Sequence, residues 1–205
     1  MEILEKTLSK NGNEIILTGK KSSKPVLVIG VFHGDEPQGK FLIEEYLKEN
    51  TSNLLFIPCL NPDGMAQGKR TNSNGVDLNR NFPTANWELT EKNEFFGGEK
   101  AGSEIETRFI INIIKKYKPE LILTLHAPFK VVNYDGDAGE ICEDISKIIN
   151  YPVEPSIGYP TPGSFGTYCG IERGIPTITL ELDEECPVEN LTAPVHKIFK
   201  LLETY

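Results

Sequence analysis

The sequence has no Cys-x-x-Cys pair, no apolar run near the length of a bilayer, no cluster of lysines and arginines, and only three histidines. Each shortage excludes something. Cys59, Cys142, Cys169 and Cys186 are scattered, and in a chain with no visible export signal they read most simply as free thiols, buried or idle. The longest apolar run, residues 26–32, is interrupted by Gly30 and falls far short of the roughly 20 residues that span a membrane. The N-terminus, Met1-Glu2-Ile3-Leu4-Glu5-Lys6, has two acids and no sustained apolar stretch behind it, so no signal peptide is expected and the expected location is cytoplasmic. A net charge of −9 without a basic cluster argues against a nucleic-acid partner or an anionic membrane partner. It leaves room for a small acidic substrate held by a few local arginines. No Gly-x-Ser-x-Gly elbow is present, which removes the usual serine-hydrolase pattern.

What remains is an ordinary globular composition. The chain has 205 residues, 39% hydrophobic and 25% charged, enough for one large domain over residues 1–205. Residues 26–32, 54–60, 121–125 and 177–182 read as buried strands. Residues 37–48, 103–117, 138–149, 165–172 and 188–202 read as helices, the second capped by Ser103 and closed by Pro119. Residues 61–102 are rich in Asn, Gly and Pro and lack periodicity, and a loop that long in a compact domain is usually functional. Strands alternating with helices predict an α/β fold, a three-layer sandwich around a mixed, mostly parallel sheet.

Two stretches carry chemistry: His33-Gly34-Asp35-Glu36 after one strand and His126 after another. Two imidazoles and a carboxylate, with water in the fourth position, form a recurrent ligand set for catalytic zinc. Glu181 ends a third strand, and in open α/β sheets ligands bind at that edge. Asn79-Arg80 offers a carboxylate clamp, since a guanidinium presents a charged planar fork. Each residue also has a plainer reading. His33 and His126 alone are compatible with satisfied histidines at strand ends. Glu181 is also compatible with an acidic turn with Asp183, Glu184 and Glu185, and Arg70 with a solvated pair with Lys69. Asn79 and Arg80 also suit a role as loop hydrogen bonders. His196, beside Lys197, reads as surface.

The stretches His33-Gly34-Asp35-Glu36, Asn61-Pro62-Asp63-Gly64, Arg70, residues 75–83 (Gly-Val-Asp-Leu-Asn-Arg-Asn-Phe-Pro), Ser103-Glu104, Leu125-His126 and Thr179-Leu180-Glu181-Leu182 occur in order. In this the chain resembles the zinc carboxypeptidases of the carboxypeptidase A superfamily, over most of its length. The resemblance implies one Zn2+ per chain on His33, Glu36 and His126. It implies that Glu181 promotes attack of the metal-held water and then protonates the leaving amine, and that Arg70 stabilises the oxyanion. Asn79 and Arg80 would grip the terminal carboxylate of a small peptide, and Tyr159 would close over it, with Tyr168 the competing tyrosine.

The short chain and the run Gly158-Tyr159-Pro160-Thr161-Pro162-Gly163-Ser164-Phe165-Gly166 are similar to the compact bacterial branch that acts on murein peptides. That branch releases diaminopimelate from L-Ala-γ-D-Glu-meso-diaminopimelate in cell-wall recycling. Asp135 or Asp137, in the stretch after His126, is a candidate to meet the distal ammonium of diaminopimelate; a polar turn is the alternative. Two other functions stay open. One is an N-acyl amino-acid deacylase resembling aspartoacylase or succinylglutamate desuccinylase, and the other is a metal-binding scaffold without activity.

Overall fold

The computed structural model describes residues 1–49, 51–155 and 161–205. Among them, eight strands form one sheet: β1 (Glu2–Leu8), β2 (Glu14–Gly19), β3 (Val26–Gly30), β4 (Leu55–Ile57), β5 (Leu121–His126), β6 (Val131–Asp135), β7 (Val153–Glu154) and β8 (Thr177–Glu181). Their order is β1-β2-β4-β3-β5-β8-β6-β7. The central strands β4, β3, β5 and β8 run parallel; β1 meets β2, β2 meets β4 and β6 meets β8 antiparallel, and β7 pairs with β6 in parallel.

Every residue of β3 and β5 is buried, the pattern of strands covered on both faces. The side chains alternate between two cores. Val26, Val28, Leu123 and Leu125 pack with Leu42, Ile43, Ile145, Val195 and Phe199. These residues belong to helices α1 (Gln38–Glu49), α4 (Gly139–Ile149) and α5 (Val188–Leu202). Leu27, Ile29 and Ile122 face the opposite way, onto Phe109, Ile110 and Ile113. Those three come from α3 (Ile105–Tyr117). Two helical layers around a mixed sheet make the expected three-layer sandwich.

Helix α1 sits unusually close to the sheet. A Cβ on Gly30 would lie 2.6 Å from the Pro58 carbonyl oxygen and 2.9 Å from the Gly39 carbonyl carbon. Two glycines facing each other therefore let the first turn of α1 lie directly on β3, which brings Glu36, just ahead of that turn, to the end of the strand.

Several expectations need correcting. The β1–β2 hairpin is absent from the sequence reading because β1 lies at the sheet edge, where Ile3 and Leu8 are exposed and a register shift between Ile3 and Glu5 breaks the alternation. The aperiodic stretch 61–102 contains a short helix, α2 (Pro62–Gln67), capped by the Asn61 side chain, which accepts from Gly64 N–H. Ser103 does not cap α3; its hydroxyl is engaged with Glu104 and Asn81, and the helix begins after Glu104. The helix expected at 165–172 holds a π-helical turn, Thr167–Ile171, a distortion often found at functional sites. His196 is no surface residue: its ring is half-buried, bonds the Leu42 carbonyl at 2.9 Å and stands edge-on to Tyr46. All four cysteines are free, three of them buried. Among the described residues no helix is long and apolar enough to cross a membrane.

Asp63 holds the hairpin to the body of the molecule. Its buried carboxylate accepts from the Ser9 hydroxyl at 2.6 Å, the Asn13 amide at 2.7 Å and the Asn11 N–H at 3.2 Å. Burial raises its pKa, but these donors outweigh that and hold it below the ordinary 3.8. A carboxyl with a lowered folded pKa stabilises the fold above its unfolded pKa, and that contribution fades as pH falls through the folded value. Asp63→Asn is expected to cost about 1–3 kcal/mol at neutral pH, read from urea melts. The difference from wild type should shrink in melts below about pH 3.8.

Candidate active site

Three adjacent strands deliver the chemistry to one edge. His126 is the last residue of β5 and Glu181 the last of β8, and the two are register partners in the parallel ladder. Leu182 N–H donates to the His126 carbonyl at 2.7 Å, so the sheet itself sets the two side chains beside each other. Beyond β3 the chain turns at Val31, whose φ of 56° is rare for a β-branched residue. His33 and Glu36 follow on that turn. The strained valine lies immediately before the site, where backbone strain tends to collect.

His33, Glu36 and His126 are all buried, and their ligand atoms lie within 4.8 Å of one another. His33 Nδ1 is 2.8 Å from Glu36 Oε1, His126 Nδ1 is 3.1 Å from Glu36 Oε2, and the two Nδ1 atoms are 3.3 Å apart. Two imidazole nitrogens at that separation need a shared partner. An edge of about 3.3 Å also fits a tetrahedron with metal–nitrogen bonds of about 2.0–2.1 Å. The donor set and its spacing suit zinc.

Asp77 organises this cluster, and the sequence reading gave it no role. It is fully buried and accepts from His33 Nε2 at 3.2 Å, Arg70 Nε at 3.0 Å, Arg70 Nη2 at 2.9 Å and Asn79 N–H at 2.8 Å. A donated Nε2–H fixes the His33 tautomer and leaves the Nδ1 lone pair aimed at Glu36 and His126. The available signal was positional: an acid between Arg70 and Asn79 in a run already marked by motif. His126 is oriented differently, its ring stacked on Phe32 at 5.4 Å.

The electrostatics follow from burial against pairing. Burial alone would lower the His33 pKa, but Glu36 and Asp77 push it up to about 9. Burial pushes Glu36 and Asp77 up, yet the facing His33 holds both well below the usual carboxylate range, helped by His126 at Glu36 and by Arg70 at Asp77. Glu181 goes the other way. Burial raises its pKa, and its Oε2 is buried without a hydrogen-bond partner. That is a carboxylate placed to take and return a proton.

Arg70 lies against the ligand cluster, with Nη1 3.3 Å from His33 Nδ1 and 3.8 Å from Glu36 Oε1. Its carbonyl accepts from Gly34 N–H and from the Asn61 amide. The following loop is tied to the start of α3, where Asn72 and Asn74 donate to Glu104. Asn79 and Arg80 lie on a 3-10 turn (Leu78–Arg80) pinned by buried Leu78. Asn79 Oδ1 accepts from Phe165 N–H at 2.9 Å, which leaves its NH2 group for a ligand. Arg80 donates to the Asn79 carbonyl at 2.7 Å.

One cleft is lined by His33, Glu36, Arg70, Asn79, Arg80, His126 and Glu181, together with Phe129, Asp135, Thr161, Ser164 and Thr179. A wider cavity of about 770 Å³ opens on the far side of Arg70. The metal-ligand candidates, Glu181, Arg70, Asn79 and Arg80 all line the cleft; Tyr159 lies outside the described residues. Tyr168 is buried, 5.4 Å from Phe82 and covered by the Arg173 guanidinium, a core position from which it does not reach a substrate. Asp137 is exposed, away from the cleft, whereas Asp135 lines it.

Comparison with known proteins gives the family and the fold. The sequence model of the zinc carboxypeptidase family matches residues 3–155. The chain is 35% identical over 158 residues to murein peptide amidase A of Escherichia coli K12, a match covering 70% of this chain and 65% of that protein. It is 33% identical over 179 residues to the Vibrio campbellii murein peptide amidase A, covering 79% and 71%. The chain thus spans just under two thirds of the first relative's length. Among solved structures, the murein-tripeptide amidase of Escherichia coli O157 superposes with a TM-score of 0.85 at 29% identity, covering 96% of this chain and 89% of that one. Carboxypeptidase A of Helicoverpa armigera has a TM-score of 0.76 at 18% identity, covering 97% and 68%, a likeness of fold.

Two substitutions test the metal centre. His126→Ala should abolish stoichiometric zinc retention after dialysis. Asp77→Ala should keep the ligands and weaken zinc about 10–100-fold in a chelator competition, the usual cost of losing a partner that orients a ligand.

Proposed function

The chain belongs to the zinc carboxypeptidase family, and on that footing we propose that it is a zinc-dependent carboxypeptidase acting on a murein-derived peptide. The bond it hydrolyses is the one that frees diaminopimelate from L-Ala-γ-D-Glu-meso-diaminopimelate. The observation that carries the proposal is one cleft holding a three-donor metal set, a buried Glu181 with its Oε2 unpartnered, and Arg70, Asn79 and Arg80. The murein substrate draws on the two amidase relatives.

His33, Glu36 and His126 would hold one zinc ion, which supplies Lewis-acid polarisation of a carbonyl and makes water nucleophilic at neutral pH. Asn79 and Arg80 bind the terminal carboxylate of the substrate, the asparagine through its NH2 group and the arginine through its charged fork. This sets the residue to be released in the narrow cleft, and the acyl portion runs past Arg70 toward the wider cavity. Arg70, held by Asp77 and so unable to swing away, donates to the oxygen that gains charge as the carbonyl is attacked. Glu181 removes the proton from the attacking water and delivers it to the leaving nitrogen. Its raised pKa brings it closer to the range in which both transfers proceed. Tyr159 is assigned, through the family resemblance, to closing over the bound peptide. The same reading takes residues 1–205 as one catalytic domain working in the cytoplasm on a small peptide, with neither nucleic acid nor membrane as partner.

The test is release of diaminopimelate from the zinc-loaded protein, run beside an α-linked peptide ending in an ordinary amino acid. Glu181→Gln is expected to lower kcat by about 10²–10⁴-fold with zinc still bound. Arg80→Lys should act mainly on KM, because the ammonium cannot reproduce a two-point grip. Release from the α-linked peptide alone would discard the murein substrate and keep the carboxypeptidase. Turnover of N-acyl amino acids alone would replace it with a deacylase.

A further inference from the structure

Phe95 is a large apolar side chain left 45% exposed, and its ring faces Arg70, with the guanidinium carbon 5.1 Å from the ring centroid. That lies inside the roughly 6 Å range of a cation–π contact. The turn that presents the ring is firmly tied. Phe95 N–H donates to Asn93 Oδ1 at 2.8 Å, and Phe96 N–H to the Asn93 carbonyl at 3.1 Å. The carbonyl of buried Phe96 accepts from Asp77 N–H at 2.8 Å. A Cβ on Gly97 would lie 2.6 Å from the Arg80 carbonyl oxygen, and the Asn81 amide donates to the Gly97 carbonyl at 2.7 Å. The ring is therefore anchored to the same backbone segment that carries Asp77, Asn79 and Arg80.

Arg70 needs such a contact. Both of its bonds to Asp77, from Nε at 3.0 Å and Nη2 at 2.9 Å, converge on one oxygen, Oδ2. The other oxygen, Oδ1, is taken by His33 and by Asn79 N–H. A guanidinium on two carboxylate oxygens is held by a fork, whereas one shared oxygen acts as a pivot that fixes distance and leaves tilt free. The atoms near Nη1 are His33 Nδ1 at 3.3 Å and Glu36 Oε1 at 3.8 Å, both assigned above to the metal and so not free to set that tilt. The ring supplies the missing constraint. It attracts the cation through its face and makes no claim on the N–H donors, which stay directed at the substrate. It also covers part of a side chain that is 21% exposed, and a donor with less water around it interacts more strongly with developing charge.

We propose that Phe95 is a positioning residue for Arg70, fixing the tilt of the guanidinium so that Nη1 meets the carbonyl oxygen as it gains charge. The inference rests on the carboxypeptidase reading and deepens it. Phe95 touches neither the metal set nor the reacting atoms and acts through Arg70 alone. Its contribution is realised when the oxygen is charged, so its loss falls on kcat and leaves KM nearly unchanged.

The experiment compares Phe95→Leu and Phe95→Tyr in the zinc-loaded protein, on the diaminopimelate peptide and the α-linked peptide named above. Phe95→Leu keeps an apolar cover and removes the ring face. It should lower kcat about three- to thirtyfold, the range of a cation–π contact, with KM within about twofold. Zinc content and melting temperature should match wild type, because the ring is half-exposed. Phe95→Tyr, which keeps the ring face, should restore kcat. In calorimetric titrations Phe95→Leu should weaken a phosphonate peptide, whose tetrahedral anion mimics the attacked carbonyl, by the same factor as kcat. On an Arg70→Ala background Phe95→Leu should cost nothing further. Full activity of Phe95→Leu, a loss confined to KM, failure of Phe95→Tyr to restore kcat, or an equal loss on the Arg70→Ala background would overturn the inference while leaving the carboxypeptidase intact. Absence of Glu181-dependent release from both peptides would overturn the carboxypeptidase reading and this inference with it.

Discussion

The site depends on one buried carboxylate. Asp77 has no exposure to solvent, and its two oxygens take hydrogen bonds from an imidazole, two nitrogens of one guanidinium and a backbone N–H. An ionised carboxyl in the interior is tolerable only when it is fully satisfied, and the groups that satisfy Asp77 are those the proposed chemistry needs held still. His33 gains its tautomer, Arg70 its direction and the Leu78–Arg80 turn its cap. The cost of burying the charge and the order of the site are therefore one fact, and no member of the set moves without leaving another unpaired.

How far the sequence discloses this differs from residue to residue. The ligand positions were legible because each sits in a short local pattern, a dipeptide or tetrapeptide at the end of an apolar run. The layers were legible because β3 and β5 are buried on both sides and leave unbroken apolar stretches. β6 was missed because Val-Val-Asn-Tyr-Asp interleaves three strand formers with Asn133 and Asp135, which line the cleft, so no unbroken apolar run marks the strand. Helix α2 was hidden by Pro62, Asp63 and Gly64, all poor helix residues, and survives on the Asn61 cap and an αL stop at Gly68. Asp77 left only a positional trace, its place between Arg70 and Asn79, because one of its main contacts is with His33, 44 positions away.

Overall charge was a poor guide to the site. The chain carries −9, yet the cleft brings two arginines, Arg70 and Arg80, together with two histidines. Two guanidiniums set among Glu36, Asp135 and Glu181 in one cleft are an arrangement that composition averages away.

The parallel pairing of β5 with β8 bears on how the protein would fail. His126 and Glu181 are joined by an interior ladder with two further strands outside it on the nearer side, so they separate only when the sheet unzips. Asp135 stands on β6, beside the two-residue strand β7 at the sheet margin, where opening is cheapest. Heat or denaturant would therefore loosen the margin first, and the cleft would lose its outer wall while His126 and Glu181 still stood side by side.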